Sequence, residues 1–203
     1  MTQKSVWGAK LMFGGYSGLK HTAVKINDYI PNSKIYVESF SGLGRTVQLR
    51  HEKIILNDKS EFANNYCKKK FPNAIVENMD FKDTIIKYDS KDTFFLFDPV
   101  WRFTCYDSHE NAYCDRKPIE YYTQLLELTL SLKGNFIICS AVDEHEIKHI
   151  LSKTAKKRGY FSKIVESDKK VIFGKKARTL LVSNIQFLKQ NNTDGLMLYD
   201  NRI

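Results

Sequence analysis

Apolar residues along this chain fall into short β-favouring runs separated by stretches with helical spacing. Ile35-Tyr36-Val37-Glu38 and Lys53-Ile54-Ile55-Leu56 predict two strands and Ala74-Ile75-Val76 a third. Thr93-Phe94-Phe95-Leu96-Phe97 and Asn135 to Cys139 predict two more. The run at 93–97 is continuous rather than alternating, the pattern of a parallel strand covered on both faces. Helices are predicted at His21 to Tyr29, Ser60 to Lys70, Pro118 to Leu132 and Val142 to Lys157. The third carries a broad apolar face (Tyr122, Leu125, Leu126, Thr129, Leu130), with Pro118 near its start and Gly134 past its end. Lys163 to Glu166, Lys170 to Phe173 and Arg178 to Ser183 then read as strands separated by Ser-Asp and Gly-Lys turns. An alternating β/α body with a β-rich end implies an α/β fold. Its sheet would be mostly parallel, with a C-terminal antiparallel hairpin.

The 203 residues suffice for one substantial core, and no repeat, linker or low-complexity tract divides them, so residues 1–203 read as a single domain. Hydrophobic residues at 42% and aromatics at 13% argue against wholesale disorder. The net charge of +9 favours a polyanionic partner. Cys67, Cys105, Cys114 and Cys139 show no CxxC spacing, and Cys139, inside an apolar run, reads as a small core residue. No signal peptide and no segment able to span a bilayer is apparent, which makes a reducing cytoplasmic setting, without membrane, the expectation.

The chemistry concentrates where strands should end. Asp98-Pro99-Val100-Trp101 follows the 93–97 run, at the carboxyl edge where open α/β sheets bind ligands. An acid and a fixed carbonyl accept hydrogen bonds from an amino group, and a large ring is a stacking platform; a flipped-out base needs these groups. Val37-Glu38-Ser39-Phe40-Ser41-Gly42-Leu43-Gly44 runs from the first strand into a glycine turn and a candidate helix, Arg45 to Arg50. Gly-x-Gly alone is more often a plain turn. It gains weight from Asp58, which ends the second strand where a ribose-binding acid is expected. A third glycine is missing, which argues against a dinucleotide and leaves another adenosine cofactor open.

Together these segments resemble the Dam-type adenine-N6 DNA methyltransferases. Residues 37–44 look like that family's Val-Glu-Pro-Phe-x-Gly-x-Gly loop, with Ser39 in place of proline. Tyr16-Ser17-Gly18-Leu19-Lys20 is similar to its aromatic-x-Gly-Gly-Lys segment, and Tyr29-Ile30-Pro31 also fits. Leu56-Asn57-Asp58 matches Leu-Asn-Asp, Asn78-Met79-Asp80-Phe81 resembles Asn-x-Asp-Phe, and residues 98–101 stand for Asp-Pro-Pro-Tyr. Order and spacing agree across residues 13–101, with looser similarity at Val182-Ser183-Asn184.

The resemblance implies a Rossmann-like class I methyltransferase fold that binds S-adenosylmethionine. Phe40 and the Gly42–Gly44 loop would flank its methionine part, with Tyr16 and Glu38 nearby and Lys20 on its carboxylate. Asp58 would take the ribose and Asp80, beside Phe81, the adenine. Asp98, the Pro99 carbonyl and Trp101 would hold the target adenine for methylation of its N6. This chemistry needs no metal, and His109, His145 and His149 read as surface residues. Two departures bear on the reading. Val100 replaces the second proline and restores a backbone N–H. Only Lys82 to Phe97 separate the two motifs between which Dam-type enzymes carry a target-recognition insertion. The resemblance favours DNA as the substrate; the missing insertion fits RNA nearly as well, a non-catalytic nucleic-acid-binding subunit is a further alternative, and a protein partner could supply recognition. Arg102 to Lys117 would close over a base or form a surface loop. Lys68-Lys69-Lys70, Lys156-Lys157-Arg158 and the lysines at 169–170 and 175–176 are candidate phosphate contacts or solvated ends.

Overall fold

A computed structural model describes residues 20–99, 118–142, 145–172 and 175–188. Tyr16, Val100, Trp101 and the segment 102–117 lie outside these residues, as do His109, Cys105 and Cys114. Helix α1 (Lys20–Asn27) precedes β1 (Ile35–Glu38), β2 (Lys53–Asn57), α2 (Glu61–Lys70), β3 (Ile75–Glu77) and α3 (Phe81–Tyr88). Then come β4 (Thr93–Phe97), α4 (Ile119–Thr129), β5 (Asn135–Ala141), α5 (His145–Arg158), β6 (Phe161–Ile172) and β7 (Lys175–Ser183).

The seven strands form one sheet in the order β3-β2-β1-β4-β5-β7-β6. β1 pairs in parallel with β2 and β4, β2 with β3, and β4 with β5. β7 inserts antiparallel beside β5 and pairs antiparallel with β6. Side chains on a strand alternate between faces, so β4 serves two cores at once. Phe95 and Phe97 pack with Val37, Phe81, Ile85, Leu125 and Leu126 on one face. Phe94 and Leu96 join Tyr36, Ile54, Leu56, Cys67 and Cys139 on the other. All five residues of β4 are buried, which is why its sequence shows no polar alternation. Full burial of each phenylalanine stabilises the fold by about 1.5–3 kcal/mol.

Helix α3 is a local element that the periodicity at 82–97 does not announce. Asp80 caps it, accepting from the Lys82 N–H at 3.0 Å, and Phe81, Thr84 and Ile85 form its buried side. The expected helix at Arg45 to Arg50 is absent; these residues form turns. Gly44 has φ +61°, and Gln48 and Arg50 turn their side chains back onto the carbonyls of Asn27 and Ile30. Those tertiary bonds, with β-branched Thr46 and Val47, outweigh a weak helical tendency. The expected Ser-Asp turn near 167 is instead a register shift within a continuous β6. Asn184 ends β7 by accepting from the Phe136 N–H at 2.9 Å and donating to the Gly134 carbonyl at 3.2 Å. His145 and His149 are exposed, whereas Cys67 and Cys139 are buried and free. Among the described residues no helix is long and apolar enough to cross a membrane.

Candidate active site at the carboxyl edge of the sheet

The chain reverses direction across the sheet between β1 and β4, and a crevice at such a switch point is where doubly wound sheets bind ligands. Four segments leave the sheet there: Ser39–Gly44 after β1, Asp58–Ser60 after β2, Asn78–Asp80 after β3, and Asp98–Pro99 after β4. The Ser39 N–H donates to the Leu96 carbonyl at 3.2 Å, which joins the first and last of these at the crevice.

The glycine loop is fixed from several sides. The Ser41 N–H donates to the Asn57 carbonyl at 2.9 Å, and the Gly44 N–H closes a turn onto Ser41 at 2.7 Å. From α2, the Cys67 thiol donates to the Gly42 carbonyl at 3.4 Å and the Lys70 ammonium to that of Leu43 at 3.5 Å. Gly42 (φ +48°) and Gly44 (φ +61°) both need left-handed backbone, but for different surroundings. A Cβ at Gly44 would come within 2.6 Å of Phe71, so this glycine packs the loop onto α2. A Cβ at Gly42 would meet nothing within 4 Å among the described residues.

Asp58 clasps this loop. One carboxylate oxygen accepts from the Gly42 N–H at 2.9 Å and the other from the Ser60 N–H at 2.8 Å. Burial pushes its pKa up, while these two N–H groups oppose the shift. Its own carbonyl accepts from Asn64 and Asn78, each at 2.8 Å. Asn57, buried beneath, donates to the Ser39 and Met79 carbonyls at 3.1 Å each and accepts from the Met79 N–H at 3.0 Å. One amide therefore ties the loops after β1 and β3 across β2. Asp80 meets Lys59 at 2.7 Å. Burial raises its pKa, but Lys59 and the Lys82 N–H prevail and hold it below the usual range. Each of Asp58 and Asp80 uses two acceptor sites of about four on a carboxylate, so both retain lone pairs.

Glu38 sits deeper, 3% exposed, and accepts from the Tyr36 hydroxyl at 3.2 Å and from Thr46. Burial pushes its pKa up to about 8; Thr46 opposes the rise and the nearby Asp98 adds to it. Register explains that proximity, since Glu38 pairs with Leu96 and Asp98 lies two residues further along the same face. Asp98 is half-buried and Pro99 buried.

Phe40, Phe81 and Tyr121 form an aromatic series along the other face. The Phe40 and Phe81 ring centroids are 5.6 Å apart, and Tyr121 meets Phe81 edge-on at 5.2 Å. The structure thus brings Glu38, Phe40, Gly42, Gly44, Asp58, Asp80, Phe81, Asp98 and Pro99 to one edge, whereas Lys20 opens α1. Sequence reasoning did not single out Thr46, Asn57, Ser60 or Tyr121 as site residues. Ser60 was detectable as a serine preceding Glu61 at a helix start; the other three act across distances no local pattern encodes. Among the described residues no group of His, Cys, Asp and Glu is arranged to hold a metal.

The strand order, with an antiparallel seventh strand between the fifth and sixth, defines a Rossmann-like methyltransferase fold. No family model and no curated protein matches the sequence. Among solved structures, an rRNA methylase from Streptococcus thermophilus is similar at TM-score 0.52 and 10% identity, covering 81% of this chain and 95% of that one. Thermoplasma acidophilum protein 1320 is similar at TM-score 0.51 and 11% identity, over 90% and 97% of the two chains. The N-methyltransferase NodS from Bradyrhizobium japonicum is similar at TM-score 0.50 and 11% identity, over 84% and 97%.

Proposed function

We propose that this chain transfers a methyl group from S-adenosylmethionine to the N6 amino group of adenine in DNA. One observation supports the reading: Asp58 clasps a loop with two left-handed glycines, and Asp80 and Asp98 follow the next two strands at the same edge of the sheet. The site suits this cofactor. Among the described residues nothing fills the space a Cβ at Gly42 would occupy, and none pairs with the buried Ser39 hydroxyl. The S-adenosylmethionine sulfonium supplies the electrophilic methyl group when bound. Phe40 and Gly42–Gly44 flank the amino-acid end with Tyr16, Lys20 and Glu38, while Asp58 receives the ribose hydroxyls and Asp80, beside Phe81, the adenine amino group.

Asp98 and the Pro99 carbonyl accept the two N–H groups of the target amine. These bonds would draw the nitrogen lone pair out of conjugation with the ring and free it to act as the nucleophile, with Trp101 as the stacking face. Orientation would provide most of the acceleration, because the departing sulfide needs no acid, and the Asp98 carboxylate would take the proton that the methylated nitrogen releases. The interval between Asp80 and Asp98 holds only α3 and β4, which leaves no module there for reading several base pairs and favours a loosely specific enzyme or one with a recognition partner. The test is transfer of labelled methyl from S-adenosylmethionine to double-stranded DNA, single-stranded DNA and RNA, with Asp98→Ala beside the wild type. N6-methyladenine in DNA, lost in the variant, is the expected result. Label confined to RNA would reassign the substrate, and none anywhere, with cofactor binding retained, would make the chain a non-catalytic subunit.

A further inference from the structure

Tyr121 stands apart from the rest of its helix. Its neighbours Tyr122, Leu125 and Leu126 are buried in the core beneath the sheet, while Tyr121 remains half-buried at the margin of that core. Its ring meets the edge of Phe81 at an interplanar angle of 76°, and Phe81 continues the contact to Phe40. Phe81 is 1% exposed, so the accessible members of this series are Phe40, which follows β1, and Tyr121, in the first turn of α4. Burial pushes the phenol's pKa up, and the carboxylates of Asp80 and, less strongly, Asp58 push it further. The phenol therefore feels the charge of both acids and stays protonated.

Resting on the cofactor reading above, we propose that Tyr121 is a further binding residue of this site, the aromatic wall at the adenosine end. An adenine held by Asp80 lies beside the Phe81–Tyr121 contact, and the ring of Tyr121 supplies an apolar surface for the base. Phe40 shares the aromatic series but belongs to the glycine loop, at the amino-acid end. Tyr121 therefore selects for the nucleoside and is indifferent to what the ribose carries at its 5′ carbon.

Calorimetric titration with S-adenosylhomocysteine and with 5′-methylthioadenosine, which shares its nucleoside and lacks the amino acid, tests this. Tyr121→Ala should weaken both ligands by the same factor, about tenfold for loss of one aromatic–base contact. Tyr121→Phe should stay within about threefold of wild type for both. Tyr121→Leu, which keeps apolar volume against Phe81, serves if the alanine variant does not fold, and should show the same equal loss. Unchanged affinities in a folded Ala or Leu variant would overturn the assignment. So would a loss seen with S-adenosylhomocysteine alone, which would place Tyr121 at the amino-acid end. Wild-type protein that binds neither ligand would defeat the cofactor reading itself, an outcome distinct from either.

Discussion

Replacing Glu38 with glutamine removes an ionisable group from the carboxyl edge of the sheet while nearly preserving shape. The native carboxyl, pushed up to about 8 chiefly by burial, keeps a proton that a carboxyl at the ordinary 4.5 has lost. Between those values the folded protein binds more protons than the unfolded chain, so this contribution is complete below 4.5 and is lost as pH rises through 8. At about 1.4 kcal/mol per pKa unit, the whole shift from 4.5 to about 8 is worth on the order of 5 kcal/mol. His51 acts in the opposite sense. Burial lowers its pKa from 6.5 to about 4, so the unfolded chain takes up the proton first and stability falls as pH drops through that interval. The two slopes oppose each other below 6.5. Above it Glu38 acts without His51, and wild-type stability should fall by about 1.5 kcal/mol between pH 6.5 and 8.

Urea unfolding at half-unit pH steps measures this. In Glu38→Gln the amide oxygen still accepts from Tyr36 and the amide nitrogen faces Thr46, with nothing to ionise. The variant's stability should be flat from pH 6.5 to 8, so that it gains on wild type as pH rises. A variant that keeps the wild-type slope, or a wild type that is itself flat, would show that Glu38 is ionised in the fold and that burial does not dominate its environment.

Other substitutions separate parts of the site. Gly44→Ala combines left-handed backbone with a 2.6 Å clash at Phe71 and should cost about 2–3 kcal/mol in urea unfolding. Gly42→Ala, strained but meeting nothing within 4 Å among the described residues, should cost about 1 kcal/mol while weakening S-adenosylhomocysteine binding more than tenfold by calorimetry. Asn57→Ala strands two carbonyls and an N–H and should lower stability by about 2–4 kcal/mol. His51→Phe keeps the stack on Tyr36, now 4.9 Å between centroids, and should remove the acid-side loss of stability between pH 6.5 and 4.

The fold was legible wherever one element buries a continuous set of residues. Residues 93–97 read as a doubly covered strand because five successive apolar β-formers leave no solvent face, and the structure buries all five. The run 118–132 read as a helix because its apolar positions recur at helical spacing, and four residues of that face are buried. Legibility failed where long-range contacts decide the local form. Residues 45–50 carry no obvious breaker after Gly44, yet their polar side chains reach back to the end of α1 and hold them in turns. Helix α3 escapes notice for a different reason: it is eight residues long and buries Phe81, Thr84 and Ile85, too short a face for helical spacing to register.

The site divides along the same line, and the division bears on what the missing proline means. Glycines and acids at strand ends are local and could be read directly; their orientation depends on Asn57, Thr46 and α2, which come from elsewhere. At position 39 a proline would lack the N–H that here bonds the Leu96 carbonyl. Serine therefore adds a direct link between the loop after β1 and the strand that carries Asp98, and leaves a hydroxyl buried beside it. Serine at this position, where the loop that residues 37–44 resemble has proline, does not loosen the crevice. It replaces ring stiffness with a hydrogen bond, and it holds the glycine loop and Asp98 in register through the backbone.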